Sequence, residues 1–270
     1  MARKITILHI SDHHRITEVN VDCLSASFNV EKEYYRANNI PMPSFIVVSG
    51  DIIQGSKEDD ASIAQEEIRS QYEVAAKFLA GLCDLFFGGD RSRMIIVPGN
   101  HDVSQYVTRG CMSKIDADDY EPFVDSLWND DSNIRWSWKD LSFYQINDTI
   151  RYKDRFNDFI SFYNSFYQDV KWPDRKYPAL VDAEADIIDF KEEGVTFVCF
   201  NSCYQLDHLQ QRGYISFNAL SNLSTKLLAK KRQGRLLVAV WHHHTQGLPK
   251  ETNYLNYRIL DNMTKYGIEI

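Results

Sequence analysis

No apolar run in the chain reaches the ~18 residues needed to cross a bilayer, and no secretory apolar region follows Met1-Ala2-Arg3-Lys4. A cytoplasmic protein with no membrane partner is therefore expected. A surplus of positive charge is missing too: Lys and Arg number 30 against 38 Asp and Glu, a net charge of -8. That excludes a general basic surface of the kind that grips a nucleic-acid backbone. A nuclease survives the exclusion, because metal ions can supply the positive charge that faces a phosphate. Cysteines are few, odd in number and widely spaced: Cys23, Cys83, Cys111, Cys199 and Cys203. They lack zinc-knuckle spacing and read as reduced core residues, not as a disulfide framework. Internal repeats and low-complexity tracts are also absent, which removes solenoids and arrays.

What is present is an ordinary packed composition, 44% hydrophobic and 13% aromatic over 270 residues, enough for one large α/β domain. A strand is expected over Ile5 to Ile10, a helix over Val21 to Ala37 and, after the breakers Asn39, Pro41 and Pro43, a strand over Phe45 to Ser49. This is a β-α-β unit, whose crossover is right-handed and whose strands are parallel. A long helix from about Asp60 to Phe86 follows, with Ile68, Tyr72, Ala75, Leu79, Leu82 and Phe86 at steps of three and four. Gly88-Gly89 ends it, and Met94 to Val97 is the third strand.

Between Val103 and about Gly194 the pattern is poorer. Ile115 to Trp138 is acidic and aromatic without a clean period, whereas Tyr152 to Val170 repeats like an amphipathic helix. The length points to an insertion or cap beside the site. Strands return over Ala185 to Phe190 and Val195 to Phe200, then a helix over Phe217 to Lys231 and a strand over Leu236 to Trp241. Tyr254 to Lys265 reads as a helix, and Ile268-Glu269-Ile270 as the start of another strand.

The strand ends carry the chemistry. Three apolar strands close on Asp12-His13-His14, on Ser49-Gly50-Asp51 and on Gly99-Asn100-His101-Asp102, and a later one ends in His242-His243-His244. Residues two apart in an extended turn point the same way, so Asp12 and His14 can place an oxygen and a nitrogen on one ion. Each motif alone is weak; their order at successive tips suggests one metal site at a common sheet edge.

Asp-x-His, Gly-Asp, Gly-Asn-His-Asp and a His-rich late strand end, taken in that order, resemble the calcineurin-like metallophosphoesterases over nearly the whole chain. The resemblance implies an α/β fold in which a two-sheet β-sandwich of mixed, mostly parallel strands is flanked by helices. It also implies two divalent metal ions (Mn, Fe, Zn or Mg) at the strand ends and hydrolysis of a phosphoester, with a nucleotide or nucleic acid among the candidate substrates. Asp12 and His14 would bind one metal, Asp51 would bridge both, and Asn100 would bind the second together with His242; His243 is the runner-up, and His244 is the less favoured choice, otherwise a group supporting the ligands or a substrate contact. His101 would protonate the leaving oxygen, with Asp102 orienting it. Asn201-Ser202 is either a polar strand end near the site or a simple turn. His9 and His13 read as non-ligands, His208 as a surface loop residue and Arg15 as a charged turn.

One family feature is missing. The Gly-His-x-His of a later strand occurs nowhere here. The expectation is a single domain over 1–270, interrupted by the insertion at about 103–194 and cut short at its C-terminal end, with further domains or a partner chain beyond Ile270. A DNA or RNA nuclease of the same superfamily is the rival enzyme, and a non-catalytic nucleotide-sensing or interaction module with a partial metal site is the rival from another class.

Overall fold

The computed structural model describes residues 4–13, 18–117, 119–129, 132–170, 185–245, 255 and 258–269. His14, Arg15 and 171–184 lie outside them. The chain has an α/β fold that begins with β1 (Ile7–Ile10), α1 (Glu18–Ala37), β2 (Phe45–Ser49), α2 (Ala61–Phe87) and β3 (Met94–Val97). The three strands form one parallel sheet in the order β1-β2-β3. Its register aligns Ile10 with Val48 and Ser49 with Val97, so the residues after each strand emerge at one edge. Helix α2 starts where Asp60 accepts from the amides of Ser62 and Ile63 and stops where Gly88 turns left-handed at φ 61°. Ala64, Ile68, Tyr72, Ala75, Leu79 and Leu82 form its buried stripe.

The stretch without a clean period holds regular structure of another kind. After α3 (Gln105–Gly110) come β4 (Met112–Lys114), α4 (Glu121–Val124), β5 (Ile134–Ser137) and β6 (Ser142–Ile146), and the strands form an antiparallel sheet in the order β4-β6-β5. The helix expected over 152–170 is divided into α5 (Thr149–Lys153) and α6 (Asn157–Phe166). The break falls at Arg155, which is buried. Its guanidinium donates to the carbonyls of Tyr152, Tyr204 and Leu206 and lies over the rings of Tyr152 and Phe156. A charge held that way ties the segment to the 204–206 loop and interrupts the helical repeat.

The chain closes with β7 (Ala185–Phe190), β8 (Val195–Phe200), α7 (Phe217–Arg232), β9 (Leu236–Val240), α8 (Arg258–Lys265) and β10 (Ile268–Glu269). The second sheet runs β10-β9-β8-β7, parallel except for the β7-β8 pair. All six residues of β8 are buried, because both faces are covered. Val195, Phe197 and Cys199 share a core with the first sheet, whereas Val198 and Phe200 pack with Leu220, Leu227 and Met263 of α7 and α8. Phe45 of β2 meets Phe190 and Phe197 at ring-centroid distances of 4.6 and 5.1 Å. The end of β9 lies beside the ends of β2 and β3, where His242 meets the Ser49 carbonyl and Asn100.

All five cysteines are free thiols, and four are buried. Among the described residues no helix is long and apolar enough to cross a membrane.

Candidate metal centre

The tips of β1 and β2 leave their strands through left-handed turns. Asp12 has φ 58°, Gly50 φ 91° and Asp51 φ 53°, and the Asp12 amide donates to the Gly50 carbonyl at 3.3 Å. Two non-glycine residues at positive φ in neighbouring loops store backbone strain, a feature that concentrates at functional sites. The approach of the β2 and β3 loops is closer still. A Cβ on Gly99 would lie 2.1 Å from the Asp51 amide nitrogen and 2.2 Å from its Oδ1, so only glycine permits this packing.

That packing brings Asp51, Asn100 and His242 together. Asp51 is buried, and its Oδ1 accepts the backbone amide of His101 at 2.8 Å. His242, just past β9, has Nδ1 2.8 Å from the Ser49 carbonyl. A carbonyl only accepts, so this nitrogen carries a proton, and in the neutral ring Nε2 keeps its lone pair. That lone pair lies 2.8 Å from Asn100 Oδ1 and 3.4 Å from Asp51 Oδ1. Two oxygens and a nitrogen so arranged repel unless a cation lies among them or the imidazole is protonated. The donor set therefore fits a divalent ion of borderline hardness.

The remaining expected residues divide. Asp12 is exposed, and its carboxylate accepts from the Ser11 hydroxyl. His14 is outside the described residues. Among those described, no group of three or more His, Cys, Asp or Glu side chains is arranged to hold a metal; the convergent set is one carboxylate, one imidazole and the Asn100 amide oxygen. His13 packs on Phe78 at 5.2 Å, and the exposed His9 meets the Ser49 hydroxyl at 2.7 Å. His244 is exposed and uses its carbonyl to accept from Leu255. His208, expected on the surface, is half-buried with Nδ1 3.0 Å from Thr108 Oγ1.

His101 stands beside the convergent set, its Nε2 3.9 Å from Asp51 Oδ2. The expected support from Asp102 is corrected. His101 Nδ1–H donates to the Gln54 carbonyl at 2.7 Å, and the Gln71 side chain holds the backbone on either side of that peptide by accepting from Gln54 N and donating to Gly55 O. Asp102 points inward instead. Its carboxylate accepts from the Gly99 amide at 2.8 Å, the Ile52 amide at 3.4 Å and the Tyr72 hydroxyl at 3.0 Å. It ties the loops after β2 and β3 to each other and to α2. Burial and the nearby Asp51 charge push Asp102 up to about 7.

Sequence reasoning passed over Ser49, Gln54, Gln71 and the hydroxyl of Tyr72. Three of these act wholly or partly through backbone atoms or backbone contacts, which leave no residue-type signal. Tyr72 was legible only as one more apolar position on a helix face. Cys203 lies near the site, with Sγ 3.5 Å from the Pro98 carbonyl. Burial, then Asp51 and Asp102, hold its thiol well above the ordinary range.

No curated protein matches the chain in a direct sequence comparison. A family model described as calcineurin-like phosphoesterase matches residues 5–267, a span that begins before β1, includes every loop of the candidate centre and ends at Gly267. With the strand-tip residues brought together as described, the chain belongs to the calcineurin-like phosphoesterase family.

Proposed function

We propose that the protein is a metal-dependent hydrolase of phosphoesters, with a phosphodiester as its substrate. The reading takes residues 1–270 as one domain in which the two larger sheets form the family's sandwich and the 103–194 segment is an inserted cap. The observation that carries it is the approach of His242 Nε2 to Asn100 Oδ1 and Asp51 Oδ1 at 2.8 and 3.4 Å, with the opposite imidazole nitrogen committed to Ser49. In this reading Asp12, His14, Asp51, Asn100 and His242 hold the metal ions. Divalent ions, when bound, lower the pKa of a coordinated water and offset the charge that builds on phosphate.

The chain's own residues supply the rest. Asp51 brings a buried negative charge between the loops, and the His101 amide fixes one of its oxygens. The Gln54 carbonyl keeps one proton on His101 Nδ1, so the proton given to the leaving oxygen is a second one, carried on Nε2 of the imidazolium, and the ring returns to neutral with Nδ1 still protonated. The experiment is manganese titration together with hydrolysis of bis-p-nitrophenyl phosphate. D51N is expected to lower both metal affinity and turnover by more than about 100-fold. A wild-type protein that neither binds manganese nor hydrolyses the diester overturns the proposal.

The alternative reading is a nucleotide-sensing module with a partial site. Manganese-dependent nucleotide binding without turnover would select it. Cleavage of single- or double-stranded DNA would select the nuclease.

A further inference from the structure

Behind His242, on the side away from Asn100, lies a buried pair that the proposed chemistry does not use. Ser202 follows β8 and is fully buried; His243 is 4% exposed. Ser202 Oγ lies 3.3 Å from the His242 amide, 3.5 Å from the His243 amide and 2.9 Å from His243 Nδ1. Two amide donors occupy the lone pairs of the hydroxyl, so its own hydrogen is directed to Nδ1. The proton of His243 then sits on Nε2, a buried atom without a hydrogen-bond partner among the described residues.

The ring is fixed from two further directions. A Cβ on Gly213 would lie 2.4 Å from His243 Cγ and 2.7 Å from its Cβ, so a glycine backbone covers one face. The His243 carbonyl accepts from Trp241 Nε1 at 2.7 Å. The His242 and His243 rings are inclined at 76° with centroids 5.1 Å apart, so adjacent residues present their imidazoles in different directions. One meets the oxygens of Asp51 and Asn100, and the other closes on Ser202.

We infer that His243 is a positioning residue, which together with the hydroxyl of Ser202 clamps the backbone at the end of β9 so that His242 Nε2 faces Asn100 and Asp51. The inference rests on the metal-centre reading above and assigns no metal contact to His243. A hydroxyl that gathers two successive amides fixes the direction in which the first of those residues leaves its strand. Without the imidazole, the Ser202 hydrogen is left with the weak acceptor Cys203 Sγ, and turning to it takes the hydroxyl away from the amides.

Asparagine and glutamine separate positioning from ligation. Asparagine places an amide oxygen where His243 Nδ1 lies, whereas glutamine places its amide where Nε2 lies. H243N is expected to bind manganese within about threefold of wild type. H243Q and S202A are expected to bind it about 10- to 100-fold more weakly, the usual effect of losing a group that orients a ligand. G213A should join them, because the new methyl meets the root of the ring and not a flexible end.

The reverse order, H243Q retained and H243N lost, is the signature of ligation through Nε2 and overturns the inference alone. A wild type that binds no manganese overturns the metal-centre reading and this inference with it. A measurement on wild type needs no variant to fold: long-range nitrogen–proton NMR of the metal-free protein should find His243 Nδ1 unprotonated and Nε2 protonated. A proton on Nδ1 overturns the assignment.

Discussion

On the β2, β3 and β9 side of the centre, the side chains of Asp51 and His242 are 4% and 8% exposed. Asp51 Oδ1 is fixed by the His101 amide and His242 Nδ1 by the Ser49 carbonyl. On the β1 side, Asp12 is exposed and its carboxylate is bound to its neighbour Ser11. Both sides use a left-handed aspartate. The difference is what surrounds it. Around Asp51 the loops after β2 and β3 pack so closely that they leave no room for a Cβ at Gly99, and Asp102, Tyr72 and Gln71 bind those loops from below. Around Asp12, among the described residues, a backbone bond to Gly50 and the Ser11 hydroxyl perform that task. One half of the centre is organised by the folded core; the other half depends on local bonds at the surface.

The strongest attempt to break this comparison is Gly99→Ala against Ser11→Ala. The methyl at position 99 would stand 2.1 Å from backbone and 2.2 Å from a buried carboxylate, so neighbouring loops must move. We expect a stability loss of about 3 kcal/mol, near the top of the overpacking range, and loss of manganese binding. Removing the Ser11 hydroxyl should change stability by less than about 0.5 kcal/mol. Chemical denaturation measures both, and equal effects would end the claim that the two sides differ.

His101→Gln sharpens the comparison within the organised side. The backbone amide that fixes Asp51 is retained, and only the imidazole is removed. Turnover of a diester should fall by about 10² to 10⁴-fold while manganese affinity stays within about threefold. A parallel loss of affinity would place His101 among the ligands.

The contrast between the two sides also marks what could be read from the chain. The strand tips were legible because apolar runs that end in Asp, Asn or His are unusual, and Asp51, Asn100 and His242 do converge. The bonds that aim them were not, since Ser49 and Gln54 contribute carbonyls. The resemblance implies that Asp102 orients His101, whereas its buried carboxylate accepts from two backbone amides and Tyr72. In the fold, the parallel strands announced themselves through continuous Val and Ile, as at Met94 to Val97. The β4-β6-β5 sheet did not, because its strands are only three to five residues long and mix aromatic with polar positions, so that Trp136 stands opposite Phe143 while its neighbour Arg135 stands opposite Tyr144. A short strand offers too few alternations to reveal its period.

The smallest expected effect probes how far the organised side extends. Thr108 of α3 lies beyond the β3 loop, and its hydroxyl meets His208 Nδ1 at 3.0 Å and accepts the His208 amide at 3.3 Å. This joins α3 to the loop after β8. Burial lowers the His208 pKa, and Arg109 adds to it against the opposing charge of Asp207. The folded protein thus prefers the neutral ring. Its contribution to stability is complete above the unfolded value of about 6.5 and is lost as pH falls through the lower folded value, because the unfolded chain takes up the proton first. Asn at 208 does not titrate and keeps an amide where Nδ1 lies. Between pH 7 and 5.5 the wild-type melting temperature should therefore fall by about 1 to 2 °C more than that of H208N. Parallel pH profiles would mean that the α3 junction yields to protonation without cost, and that the rigid half of the centre stops at β3.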